Sequence, residues 1–261
     1  MEKGTTVLEA KNLSIGYTAN KQVTTVAAAI NLSLKTGSLT ALIGANGIGK
    51  STLLRTLTGI QKPLDGQVNL EHKNISDYSA AALAQHLSIV LTESLPASNL
   101  TVYELVALGR QPFTNWLGNL SDEDKVKISE ALQLTQTEHL AHKKHFEISD
   151  GQLQKVLIAR ALAQDTKLIV LDEPTTHLDF QHKASVLRLL KNLAAESGKS
   201  ILYSTHDLDL ALQLSDELIV VTKNKVIQDT PEQLITDKII DSLFDDPNII
   251  FDPEKRSFIF R

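Results

Sequence analysis

The sequence predicts an α/β fold carried on a mainly parallel sheet, and three observations predict it. Short β-type runs alternate with helical stretches, the pattern that a parallel sheet requires. A glycine-rich segment, residues 44–52, sits between an apolar run and a helix-like stretch. A block of helical spacing that starts near residue 100 interrupts the strand series and reads as an insertion.

Taken in order, the first hundred residues are strand-rich. Runs at 7–13, 30–34, 39–43, 68–70 and 88–91 are separated by Gly, Asn, Asp or Pro. Beyond Leu100, the positions of Val102, Leu105 and Val106 share one helix face. Ser121 followed by Asp122, Glu123 and Asp124 has the form of an N-cap with an acidic first turn, ahead of a helix over 126–134. Strands return at 168–171, 201–204 and 218–221 with helical stretches between them. The tail, 230–261, carries three prolines and the acidic residues Asp241, Asp245 and Asp246, and reads as a solvated flanking element.

Composition bounds the partners. At 261 residues and 42% hydrophobic content, the chain has room for one large α/β domain or for a domain with an inserted subdomain. Its 26 basic and 31 acidic residues give a formal charge of −5, which argues against a nucleic-acid surface as the main partner. No run approaches the ~20 apolar residues that cross a bilayer. The start, Met1-Glu2-Lys3-Gly4-Thr5-Thr6, lacks the apolar core of a signal peptide, so a cytoplasmic chain is expected. The absence of cysteine removes disulfides and thiolate metal sites. With no internal repeat, a function that needs two equivalent sites must take the second from another chain.

The segment Gly44-Ala45-Asn46-Gly47-Ile48-Gly49-Lys50-Ser51-Thr52 has the pattern G-x-x-x-x-G-K-S. A glycine-rich turn lets successive backbone N–H groups converge on phosphate oxygens without interference from Cβ atoms. The lysine then reaches the outer phosphates, the serine hydroxyl serves Mg²⁺, and the following helix adds its positive end. Residues 168–173, Leu-Ile-Val-Leu-Asp-Glu, form an apolar run that ends in two carboxylates. A buried strand that delivers acids at its C-terminal end places them where an open α/β sheet holds its ligand. There Asp172 suits Mg²⁺, and Glu173 suits the orientation or deprotonation of an attacking water.

With these motifs in place, the chain resembles an ATP-binding cassette ATPase over nearly its whole length. Ile148-Ser149-Asp150-Gly151-Gln152, followed by Gln154-Lys155 and by 158–162, is similar to the family signature L-S-G-G-Q. The same serine and glutamine also make an S-x-x-Q capping box, and a capped helix start is itself an anion site. Residues 174–179 match the loop after the second acid, with Asp179 as its aspartate; His206 sits at the switch-histidine position, and Tyr17 matches the aromatic that stacks on adenine. The resemblance implies a P-loop NTPase core with a mainly parallel sheet, an N-terminal antiparallel β subdomain and an inserted α-helical subdomain. It implies one ATPase domain over 1–261, with the insertion near 94–165 and a C-terminal extension at 230–261.

Two positions depart from the family pattern. Asp150 stands where the signature has glycine; its carboxylate either complements the helix dipole or faces a partner's γ-phosphate and slows closure by repulsion. After the run at 88–91 the family carries a glutamine that reaches Mg²⁺ and the attacking water. Here Thr92 stands in register with it, followed by Glu93, and either oxygen suits a hard cation.

Residues 100–113 together with Trp116 resemble the insertion of cassettes that power uptake of iron–siderophore complexes, haem and vitamin B12. The Gly109-Arg110-Gln111-Pro112-Phe113 end also reads as a helix C-terminus closed by Gly and Pro. The resemblance implies a head-to-tail homodimer that binds two ATP and Mg²⁺, membrane permease subunits as partners, an external substrate-binding protein acting through them, and a position on the inner face of the membrane. Lys50, Glu173 and His206 would serve the chemistry. Two other readings stay open from the residues: a cassette ATPase with a cytosolic partner, as in iron–sulfur assembly, and a low-turnover regulatory subunit.

Overall fold

The structure, a computed structural model, describes residues 4–19, 22–91, 98–243, 248–253 and 255–260. The chain opens with β1 (Thr6–Ala19) and β2 (Gln22–Lys35), paired antiparallel. Both extend beyond the apolar runs: in β2, residues 22–29 are exposed or half-buried without alternation, so periodicity gives no strand signal there. β3 (Leu39–Gly44) leads through a loop into α1 (Lys50–Leu57). β4 (Asp65–Leu70) and β5 (Lys73–Asn74) return to the first strands, giving a four-stranded antiparallel sheet in the order β2-β1-β4-β5.

A short α2 (Ala80–Leu83) precedes β6 (Leu87–Val90), and the helical block follows: α3 (Val102–Ala107), a tight turn over 108–113, α4 (Asp122–Leu134) and α5 (Asp150–Ala163). Thr101 with Glu104 and Ser121 with Asp124 form reciprocal capping boxes that fix the starts of α3 and α4. Then come β7 (Leu168–Leu171), α6 (Phe180–Ser197), β8 (Ser200–Ser204), α7 (Leu208–Leu214), β9 (Glu217–Val221) and β10 (Val226–Asp229). The second sheet runs β10-β9-β3-β8-β7-β6; the strands from β9 to β6 are parallel, and β10 is an antiparallel edge.

Strand alternation divides the interior into two cores. Leu39, Ala41 and Ile43 of β3, Ile169 and Leu171 of β7, and Ile201 and Tyr203 of β8 face one core with α3 to α7. The intervening Leu42, Val170 and Leu202 face the other, with α1 and the antiparallel sheet. Both faces of the central strands are covered, which is why they are largely apolar. The helical block is an insertion in sequence, yet its buried residues belong to the same core as one face of the sheet.

The tail corrects the sequence-based expectation of a solvated element. α8 (Pro231–Thr236), a tight turn over 240–243, and the hairpin β11 (Ile249–Asp252) with β12 (Ser257–Phe260) follow β10. Leu234, Ile240 and Phe251 are buried in the main core. Their apolar side chains outweigh the prolines and acids that dominate the sequence pattern. Asp241 is exposed, and Asp245 and Asp246 lie outside the described residues.

Candidate functional site

β3, β6, β7 and β8 all end at one edge of the parallel sheet, and the motifs are attached to those ends. The loop after β3 is shaped by its glycines. Gly49 has φ 113°, and a Cβ there would lie 2.3 Å from Val26 Cγ1, so the loop seats against β2 only with glycine at this position. Lys50 is buried and its Nζ donates to the carbonyls of Gly44 (2.9 Å) and Ala45 (3.2 Å), spanning the loop from within. Burial lowers the Lys50 ammonium below the usual lysine range, and the negative charges of Glu173 and then Asp172 partly offset this. The two acids therefore lie within electrostatic reach of the loop lysine.

Ser51 is exposed in the first turn of α1 and lines one cleft together with Asp172. Thr52 is half-buried beside it, and Ala45, Asn46, Gly47 and Ile48 complete the loop. At the end of β7, Asp172 accepts a hydrogen bond from Ser204 Oγ (2.6 Å), and the same hydroxyl accepts from the backbone N–H of Glu173 (2.8 Å). Glu173 has a left-handed backbone with φ 47°, a conformation costly for a side chain with a Cβ and common at functional sites. Its two carboxylate oxygens are held separately: Oε1 lies 2.5 Å from His206 Nε2, and Oε2 accepts from Thr176 Oγ1 at 3.1 Å. The structure thus brings Lys50, Ser51, Asp172, Glu173 and His206 together.

A second cluster forms where α5 and α6 begin. Ser149 caps α5 by accepting from the Gln152 N–H (3.3 Å), while Gln152 Oε1 accepts from the Ser149 N–H (3.1 Å). Asp150 is exposed in the first turn of α5, at the helix's positive end. Gly151 is buried against His182. Asp179 caps α6, and its loop is braced through Asp207, which accepts from Thr175 Oγ1 (3.3 Å) and Lys183 Nζ (3.0 Å). Tyr17 is half-exposed on β1 opposite Thr24, on the hairpin that also carries Val26 to the phosphate loop. Thr92 and Glu93 lie outside the described residues.

Sequence reasoning missed Ser204, His182 and Val26. A serine at a strand end, a histidine in a helix and a valine in a strand carry no pattern of their own; only the register of β8 against β7 sets Ser204 beside both acids.

In the helical block, Arg110 is buried, with Nε 2.7 Å from Asp124 Oδ1 and Nη1 2.9 Å from the Ala163 carbonyl. α3 ends at Ala107 with Leu108 as its C-cap, directly ahead of Gly109, and the chain goes on as a tighter turn through Phe113. Phe113 lies over the Arg110 guanidinium at 4.1 Å, and Leu108, Phe113, Trp116 and Leu117 are exposed, Trp116 to 91%. A larger groove between β2 and β10, lined by Lys35, Glu217 and Gln228, contains none of the motif residues.

A phosphate loop on the central strand, with two acids and a histidine at neighbouring strand ends, defines a P-loop ATPase. The family model described as ABC transporter matches residues 27–176, and the chain belongs to that family as an ATP-binding ATPase subunit. It is 39% identical over 248 residues to the iron(3+)-hydroxamate import ATP-binding protein FhuC of Bacillus subtilis, covering 94% of this chain and 91% of the relative. An ABC transporter assigned to the metal-chelate type, solved in an inward-facing conformation, superimposes with TM-score 0.80 at 28% identity, covering 98% of this chain and 96% of that one. The cassette MJ0796, solved as a dimer, superimposes with TM-score 0.73 at 27% identity, covering 86% and 98%. No helix of the described residues is long and apolar enough to cross a membrane.

Proposed function

We propose that two copies of this chain bind and hydrolyse Mg-ATP between them and so energise a membrane permease that imports metal chelates of the iron–siderophore, haem or cobalamin class. The observation that carries the reading is the convergence of Lys50, Asp172, Glu173 and His206 on one sheet edge, with Ser204 fixing both acids. The relative's role in iron(3+)-hydroxamate import and the metal-chelate type of the structural neighbour support the cargo class. The exposed face of Leu108, Phe113, Trp116 and Leu117 suits a hydrophobic permease segment at the inner membrane surface.

The donor set fits Mg²⁺, which takes hard oxygens and few protein ligands. Ser51 Oγ and the Asp172 carboxylate share one cleft, and Thr92 is assigned as a further oxygen. Bound there, the ion neutralises charge on the β and γ phosphates. The chain's own groups do the rest. Backbone N–H groups of 44–52 and Lys50 hold the phosphates, Tyr17 stacks on the base, and Glu173 orients the attacking water and takes its proton. His206, whose Nε2–H faces Glu173 in this structure, would turn that N–H to the γ-phosphate as the bond to the leaving ADP breaks. Ser149, Gly151, Gln152 and Asp179 of the partner copy close the site from the other side.

Glu173→Gln keeps Asp172 and removes the base. It is expected to elute as a dimer with Mg-ATP and to turn over almost no nucleotide. Coexpression with a metal-chelate permease is expected to give a membrane complex whose ATPase rises with the chelate's binding protein. Normal hydrolysis by Glu173→Gln would remove the assigned base. Co-purification with a soluble partner alone would replace the importer reading.

A further inference from the structure

The signature turn at 149–152 and the loop that ends at Asp179 are separated in sequence by α5 and β7, and the His182 side chain lies against both. We infer that His182 is a positioning residue: a wedge that holds the 149–152 turn and Asp179 in one fixed relation, so that both face the partner copy as a unit.

The ring's orientation is fixed from one side. Asp179 Oδ1 accepts from the His182 backbone N–H (2.9 Å), and both carboxylate oxygens lie 2.8 Å from His182 Nδ1. A carboxylate only accepts, so Nδ1 carries the hydrogen and the imidazole is pinned against the cap. The opposite edge meets α5. A Cβ on residue 151 would lie 2.8 Å from His182 Cδ2, 3.4 Å from Cγ and 3.6 Å from Nε2.

Gly151 has no positive φ and sits in the first turn of a helix, where glycine costs ~1 kcal/mol relative to alanine. Its backbone does not call for glycine; the imidazole edge does. Capping of α6 does not explain the ring either, because the cap uses the backbone N–H of His182 and survives loss of the side chain. What the ring adds is the contact between two helix starts. Ser149 and Gln152 are already committed to each other in the capping box, so the turn moves as a body when Gly151 moves.

The role toward the partner copy rests on the dimer reading above, whereas the contact does not, and the tests separate them. In nucleotide-free full-length protein, His182→Ala is expected to speed amide exchange at 149–153 as well as at 176–182; acceleration confined to 176–182 overturns the wedge. Gly151→Ala is expected to lower Tm in the native background and to lower it less when combined with His182→Ala, since removal of the ring makes room for the methyl. Equal losses in the two backgrounds overturn the contact.

In the Glu173→Gln background, His182→Ala is expected to raise the ATP concentration for half-maximal dimerisation about tenfold, as misplacement of distant positioning groups does. Binding of a fluorescent ATP analogue to the monomer is expected to stay the same. His182→Asn keeps an N–H for Asp179 but loses the ring edge, and is expected to behave as His182→Ala. Wild-type dimerisation by both variants overturns the positioning role. Failure of the Glu173→Gln parent to dimerise overturns the dimer reading itself, and with it that role, whatever the exchange result.

Discussion

Ser204→Ala is the most direct probe of the hydrolytic centre. The hydroxyl is fully buried, donates to Asp172 Oδ1 at 2.6 Å and accepts from the Glu173 N–H at 2.8 Å, so a single oxygen sets the spacing of both acids. Its removal deletes a hydrogen bond to a carboxylate, worth about 1.5–3 kcal/mol, and strands an N–H at a cost of about 1–3 kcal/mol. The stranded N–H belongs to the residue held at φ 47°, so Glu173 loses one of the restraints on its strained backbone. If about half of the total falls on the transition state for hydrolysis, turnover drops roughly tenfold to a hundredfold. Steady-state ATPase measured across Mg²⁺ concentrations reads the effect, and urea denaturation reads the share that falls on folding. Ser204→Thr keeps the oxygen and is expected to retain most turnover, with its added methyl costing about 1–3 kcal/mol of stability. Turnover of Ser204→Ala at the wild-type rate, with unchanged Mg²⁺ dependence, would refute the idea that this hydroxyl sets the acids.

Lys50→Ala is expected to lose useful ATP affinity, by about 1.5–3 kcal/mol or more from a charge-assisted contact; titration with a fluorescent analogue checks it. Asp124→Ala leaves Arg110 buried without its carboxylate and is expected to cost about 3–5 kcal/mol in urea denaturation. Burial pushes the Asp124 carboxyl up, but Arg110 and Ser121 outweigh it and hold the group below its ordinary value. Its folded pKa is thus depressed, so its stabilisation is present above the unfolded value near ~3.9 and fades as pH falls through the folded value. Wild-type stability is expected to lose this increment in acid, and Asp124→Asn to show a flatter profile. Asp150→Gly is expected to lower Tm, with a stability loss of about 0.3–1 kcal/mol from the lost dipole interaction plus a similar amount from backbone freedom. An accompanying rise in basal ATPase would show instead that the carboxylate opposes closure.

The parts of the fold that were legible in the sequence are those where burial and local chemistry agree. Residues 168–171 read as a strand because both faces are covered and the run ends in acids, and the structure places β7 over those residues. Ser121 and Ser149 announce their helices because a cap acts on the same chain a few residues away. What stayed hidden depends on distant pairing. β10 is only four residues long, Val226–Asp229, too short for its pattern to mark a strand, and the Gln228 side chain bonds both Ser33 N and Ser33 O across the two sheets. The tail's Ile240 and Phe251 lie among prolines and acids that mask them until the core is present to receive them. Of the site, the motif-bearing loop and acids were readable, but Ser204 and His182 act only through neighbours that the sequence does not place beside them.

The position of β3 governs when this molecule can become competent during synthesis. Its neighbours on either side are β8 and β9, residues 200–221, so the strand that presents the phosphate loop has no lateral pairing until the last quarter of the chain has emerged. The antiparallel sheet faces the same constraint, because its core is sealed in part by Leu202, Ile219 and Val221 from that late segment. Contacts of such long sequence separation make folding slow, since loop closure precedes the reward of pairing. Until residues 200–221 have been made, the G-x-x-x-x-G-K-S segment therefore lacks both of the strands that flank β3 in the folded sheet.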